Sequence, residues 1–195
     1  FLELIEAENW EGIDAFLADF QQSVEALLYC EAPVIGAPSG LAIGGGFEVL
    51  AHCDKVVAHA NSVLGLVEAS VGLVPGGGGV KETYWRWYQA SNDWAVAARN
   101  TFNQIGYAQT ASSPDEAVPF KYFLEDRDAQ VMNRDRLIAG AREALVALSE
   151  KYTPRQRPVF RLAGADIHQE LVKFLEQGRD KGHFFDHDVT VATEI

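Results

Sequence analysis

Two glutamates stand beside glycine runs. Glu48 lies just past the triplet Gly44-Gly45-Gly46, and Glu68 comes seven residues before Pro75-Gly76-Gly77-Gly78-Gly79. Glycine lets a backbone approach a ligand closely, and a helix that opens at glycines points unpaired N–H groups outward. A carboxylate held beside such groups suits a reaction in which negative charge develops and a proton moves. Two carboxylates close together raise one another's pKa, so one can hold a proton while the other is ionised.

The words around these residues are more specific than the spacing. One stretch reads Pro33-Val34-Ile35-Gly36-Ala37-Pro38-Ser39-Gly40-Leu41-Ala42-Ile43-Gly44-Gly45-Gly46-Phe47-Glu48. It runs on through Cys53-Asp54 and Gly65-Leu66-Val67-Glu68 to Gly72-Leu73-Val74 and the Pro75–Gly79 loop. This segment resembles the enoyl-CoA hydratase (crotonase) family, in which a proline-led strand enters a glycine triplet and two glutamates follow. The looser words Val80-Lys81-Glu82 and Val131-Met132-Asn133-Arg134-Asp135-Arg136-Leu137 resemble one branch. There a 3-hydroxyacyl-CoA dehydrogenase and a crotonase-type region share a polypeptide.

The resemblance implies an acyl-CoA thioester as substrate and assigns roles. The Gly45 N–H is one of two donors to the thioester oxygen. Glu48 orients and deprotonates water, Glu68 exchanges the proton at C2, and Gly44, Gly46, Pro75 and Gly76 line the substrate. The pair is coupled, so the division of labour is less fixed than the pair itself. In the family the second donor comes from a loop upstream of the helix before the proline-led strand, and this chain begins almost at that helix. The expectation is therefore an incomplete crotonase-type α/β core over residues 1–109, then an α-helical region over 110–195. A chain beginning inside a longer protein, and weak as a hydratase by itself, is expected too. A 3,2-enoyl-CoA isomerase is the neighbouring alternative, but it shuttles one proton and needs one carboxylate. An assembly region docking to a dehydrogenase is the alternative of another class, and docking needs no glycine–glutamate site.

Other candidates carry less. His52 follows Glu48 by four residues on the same helix face, where it either packs or tunes Glu48. His183 and His187 have the spacing of two helical metal ligands without a matching third, and the family uses no metal, so none is expected. Ser39-Gly40 lacks the frame of a nucleophile elbow. No G-x-G-x-x-G opens a βαβ unit, so NAD is expected only in a region outside this chain, which itself needs no cofactor.

Composition narrows the class. The chain has 195 residues, 48% hydrophobic, with a net charge of −12. Such acidity disfavours nucleic acid and anionic membranes as partners. No apolar run approaches the ~18 residues of a membrane span, and Phe1-Leu2-Glu3-Leu4 does not read as a signal peptide. Cys30 and Cys53, without a C-x-x-C, suggest buried thiols and a cytoplasmic setting. A homo-oligomer is expected. Arg134, Arg136, Arg142, Lys151, Arg155, Arg157 and Arg161 crowd the second half, as solvated helix faces or as a patch for CoA phosphates.

Periodicity places helices over 14–29, 46–51, 80–88, 94–105, 134–152 and 165–177, the last capped by Gly178. Strands are expected over 34–35, 55–58 and 62–64. Ser113-Pro114-Asp115-Glu116 reads as a helix start within a connecting segment.

Overall fold

A computed structural model describes residues 2–195. The chain opens with α1 (Leu2–Glu6) and α2 (Trp10–Leu28), whose Asn9 side chain accepts the Gly12 N–H as an N-cap. The helix expected from position 14 therefore starts four residues earlier, because Asn9 satisfies a first-turn N–H ahead of the apolar face. Then come β1 (Ile35–Gly36), β2 (Leu41–Ile43), α3 (Gly45–Ala51), β3 (Lys55–His59) and β4 (Val63–Gly65). Next are α4 (Gly79–Ser91), α5 (Trp94–Gly106), β5 (Thr110–Ala111), α6 (Pro114–Ala117) and β6 (Ala129–Val131). Helices α7 (Leu137–Ser149), α8 (Ala165–Asp180) and α9 (Asp186–Glu194) follow.

Two small sheets carry the site. One has the order β1-β3-β6, parallel throughout, and the other β2-β4-β5, with β5 antiparallel to β4. β5 lies in residues 110–125, expected as a connector, and β6 lies just beyond them, within the region expected to be helical, and each supplies an edge strand to one sheet. Both strands are too short for alternation to show in sequence. Their corners are tied by side chains: Asp128 accepts the N–H of Val56 and of Leu124, and Asp54 accepts that of Val34. The core between sheets and helices contains Phe47, Leu50, Val56, Leu64, Leu66 and Ile105. Tyr122 packs edge-on to Phe47 at 4.5 Å and accepts the Leu66 N–H through its hydroxyl.

The C-terminal elements differ from expectation in informative ways. Residues 134–136 form a separate 3-10 turn before α7, with Asn133 accepting the Asp135 N–H. Ser113 caps α6 as expected, accepting from Glu116 N. Gly178 is not a cap. It lies inside α8, where a Cβ would collide with the Phe184 ring. The left-handed position that ends the helix is Gly182, at φ 74°. Between α7 and α8 an extended strap crosses the molecule. Tyr152 donates to the Cys30 carbonyl at 3.0 Å, Arg155 pairs with Asp54 at 3.1 Å, and Arg157 pairs with Glu25 at 3.0 Å. Two of the basic residues offered as solvated faces or as a phosphate patch therefore hold the strap. Cys53 is buried and its thiol is pushed up to about 11 by that burial, whereas Cys30 is only half-buried. No helix among the described residues is long and apolar enough to cross a membrane.

Candidate active site

Two turns converge on one glycine. Gly44 caps α3 at φ 55°, a conformation that favours glycine, and its N–H donates to the Gly65 carbonyl at 2.9 Å. The start of α3 is thereby tied to the end of β4. Gly45 is the first helical residue, so its N–H has no acceptor within the helix, and the bonds around the turn leave it unused. A methyl group on Gly45 would sit 3.6 Å from the Phe20 ring of α2, in ordinary contact, while one on Gly46 would meet nothing. Phe20 thus packs against the side of the Gly45 turn on which a side chain would stand.

Glu48 stands one turn along α3 and is 2% exposed. Its Oε1 accepts the N–H of Gly77 and of Gly79, both at 2.8 Å. Only glycine fits at these donors. A Cβ on Gly77 would lie 2.7 Å from Glu48 Oε2, and one on Gly79 would lie 2.9 Å from Oε1. Burial pushes the Glu48 carboxyl above the usual range and the charge of Glu68 pushes the same way, against the two N–H donors.

Glu68 opens a single 3-10 turn, Glu68–Val71. Its Oε1 is 3.2 Å from where a Cβ on Gly44 would stand, which sets the carboxyl against the opening of α3. Its Oε2 is buried with no hydrogen-bond partner, and burial raises this carboxyl's pKa as well. The turn closes at Gly72, φ 75°, whose carbonyl accepts the Nε2–H of His187 at 2.9 Å. His187 belongs to α9 and His183 to the turn before it, so the two do not share one helix.

Four of the seven residues singled out in the sequence meet here: Glu48, Glu68, Gly44 and Gly45. Gly46 adjoins them on the open side. Pro75 is buried and Gly76 lies under α2, its carbonyl accepting Gln21 Nε2 at 2.7 Å with Leu17 alongside. These two shape the donor loop rather than face Glu48. Sequence reading missed Phe20, Gln21 and His187. The first two sit on the helical face that periodicity had marked as apolar or left as polar, and periodicity does not say what that face meets. His187 stood out only for its metal-ligand spacing from His183, which does not point to the Gly72 carbonyl.

The arrangement can polarise an oxygen at a free backbone N–H and place two carboxyls of raised pKa beside it. A cavity of about 800 Å³ lies elsewhere, between α4, α5, α8 and α9, lined by Val80, Thr101, Phe102, Leu171 and Leu175. Val80 directly follows the Glu48 donor Gly79.

Comparison with known proteins adds four findings. The family profile described as enoyl-CoA hydratase/isomerase matches residues 3–101. A Bacillus subtilis (strain 168) protein named "Probable 3-hydroxyacyl-CoA dehydrogenase" is 29% identical over 192 residues, 98% of this chain and 24% of its own length. A Rhizobium meliloti (strain 1021) protein named "Probable enoyl-CoA hydratase" is 35% identical over 77 residues, 40% of this chain and 30% of its own. Among solved structures, an enoyl-CoA hydratase from Bacillus anthracis superposes with a TM-score of 0.59 at 19% identity. That match covers 94% of this chain and 60% of that one, and it shows the shared crotonase-type α/β fold. The chain spans about a quarter of the length of the Bacillus subtilis relative.

Proposed function

This chain belongs to the enoyl-CoA hydratase/isomerase family, and from that premise we propose that it performs hydratase chemistry, the syn addition of water to a 2-trans-enoyl-CoA. The thioester oxygen sits at the Gly45 N–H, where the start of α3 favours the enolate-like charge that develops. Glu48, fixed by its two backbone donors, holds water and takes its proton as the oxygen bonds to C3. Glu68 delivers a proton to C2, and the proton left on Glu48 returns to Glu68 through solvent before the next turnover. The balance is one water consumed, with a hydroxyl gained at C3 and a hydrogen at C2.

The observation that carries this reading is the pairing of two carboxyls from separate turns at the opening of one short helix. An isomerase needs one carboxylate, so the pair favours the hydratase. We place the apolar part of the substrate in the cavity beside Val80. The Bacillus subtilis relative supports a setting in a longer protein with a 3-hydroxyacyl-CoA dehydrogenase region outside this chain, and NAD belongs to that region. The test is hydration of crotonyl-CoA by the longer protein and by its Glu48→Gln variant. Turnover of the unsubstituted protein that collapses in the variant supports the reading. Isomerisation of a 3-enoyl-CoA that survives the substitution would favour the isomerase.

A further inference from the structure

Behind Glu48 lies a second buried titratable group that this chemistry leaves unused. His52 follows the last residue of α3 and is wholly buried. Its Nδ1 is 2.7 Å from the Glu48 carbonyl oxygen. A carbonyl only accepts, so Nδ1 carries the hydrogen. Nε2 of the neutral ring is then a bare lone pair, buried and without a hydrogen-bond partner. Facing it from α4 is Glu82 Oε1 at 3.9 Å, on a side chain 5% exposed overall.

Two acceptors face one another across a gap slightly too long for a hydrogen bond. The backbone of Gly78 fills the remaining side: a Cβ there would stand 3.1 Å from Nε2. The charged groups that act on the ring are Lys81, Glu82 and Arg86, all on α4. Lys81 reaches both Glu82, at 3.7 Å, and Glu25 of α2, at 3.3 Å. The geometry matters because Gly78 lies between Gly77 and Gly79, the two donors to Glu48. His52 therefore touches the Glu48 carbonyl on one side and the donor loop on the other.

We propose that His52 and Glu82 share one proton and act as a positioning pair that sets Glu48 against its donor loop. A solvent proton taken up between Nε2 and Oε1 turns two facing acceptors into a hydrogen bond. That bond draws the first turn of α4 toward the end of α3. Without the proton the bond is absent and the loop is held by packing alone. Neither side chain touches substrate. The inference rests on the hydratase reading only for its activity readout.

The discriminating variant is Glu82→Gln, because a carboxamide N–H can donate to Nε2 without a solvent proton and holds the bond at every pH. Glu82→Ala cannot form it at all. The experiment uses the longer protein that contains this chain. It measures kcat and KM for crotonyl-CoA against pH, and the nitrogen-15 shifts of the labelled His52 ring over the same range. Burial holds the His52 pKa below its ordinary value of 6.5, so the step is expected on the acid side of neutrality. The ratio of wild-type kcat to that of Glu82→Gln should be near one below the step and fall above it. Below the step Glu82→Ala should lose about tenfold to a hundredfold in kcat, with KM little changed, as expected for a misplaced catalytic group, and above it the loss should vanish because wild type lacks the bond too. The ring spectrum should show Nε2 gaining a hydrogen through the step in wild type, and a pH-independent hydrogen-bonded Nε2 in Glu82→Gln. A kcat ratio that stays constant with pH, or an Nε2 that stays bare throughout in wild type, overturns the pair. Absence of any crotonyl-CoA turnover in wild type would sink the hydratase reading instead, and the ring spectra would still decide the pair.

Discussion

Glu48 stands on a helix and gives one carboxyl oxygen to two backbone N–H groups, whereas Glu68 stands on a lone 3-10 turn and buries an oxygen with no partner. Burial raises both pKa values and backbone N–H groups oppose the rise at both, but only at Glu48 does a neighbouring carboxylate, Glu68, add to it. At Glu48 the donors of Gly77 and Gly79 hold the ionised form in place. At Glu68 the buried, unpaired Oε2 is better suited to carry a proton. One carboxyl is anchored as an acceptor and the other is poised to hold and release hydrogen. The difference lies in backbone, not in residue type, and it matches the division of labour in the proposed reaction.

The largest effect should come from removing either acid. Glu48→Gln and Glu68→Gln should each lower kcat for crotonyl-CoA hydration by roughly 10²–10⁴-fold, the scale of lost acid–base catalysis. The comparison sharpens in solvent isotope exchange at C2, which Glu68→Gln should suppress more than Glu48→Gln. Equal suppression would erase the distinction between the two carboxyls.

Next in size are the glycines that anchor Glu48. Gly77→Ala drives a Cβ into the Phe20 ring and places it 2.7 Å from Glu48 Oε2, so something must shift. Overpacking of this kind costs about 1–3 kcal/mol and should displace Glu48 as well. Gly46→Ala, in open space on the same short helix, is the control and should unfold at nearly the wild-type temperature. Thermal melts of the two variants side by side measure the contrast. A Gly77→Ala protein as stable and active as Gly46→Ala would mean that the donor loop does not clamp Glu48.

Much of this was legible from residues. The glycine triplet, the two glutamates and the proline–glycine loop placed the chemistry. The Ser113-Pro114 start marked α6, because a side-chain cap leaves a signature in sequence. What escaped depends on partners distant along the chain. Strands β5 and β6 are defined by what they pair with, not by their own pattern. Gly178 and Gly182 look alike as letters. One is required by the Phe184 ring and the other by a positive φ. Phe20 meets Gly45 from the same helix whose Leu17 and Gln21 dock against Gly76, a contact between segments distant in sequence.

His187 tests whether the Glu68 turn depends on the C-terminal helix. Its ring donates to Gly72 from the exposed surface, and one such bond contributes about 0.5–1.5 kcal/mol net. His187→Ala should therefore lower the melting temperature slightly and reduce kcat more than a surface change does, because the turn it leaves is the one bearing Glu68. His187→Gln, which can still donate to the carbonyl, should recover most of both. No difference between the two variants would separate α9 from the site.

The smallest effect concerns stability and carries a sign. Burial raises the pKa of Glu68 on folding, so the folded state holds its proton more tightly than the unfolded chain. A group shifted upward contributes stability that is fully present below the unfolded pKa and is lost as pH rises through the folded one. Above its folded-state pKa the ionised form of Glu68 is thus a cost to stability. Glu68→Gln removes the charge, keeps the shape, and should raise the melting temperature at neutral pH by about 2–4 °C for each kcal/mol recovered. The gain should shrink toward zero as pH falls below the carboxylate range, where both proteins are neutral at this position. Glu48→Gln should gain less, because two N–H groups bond the Glu48 carboxylate at 2.8 Å while Glu68 Oε2 is buried without a partner. Melts of wild type and both variants from acid to neutral pH decide the matter. A Glu68→Gln protein less stable than wild type at neutral pH, or a gain that grows toward acid, would show that Glu68 is held as a stabilised anion, and the contrast with Glu48 would be lost.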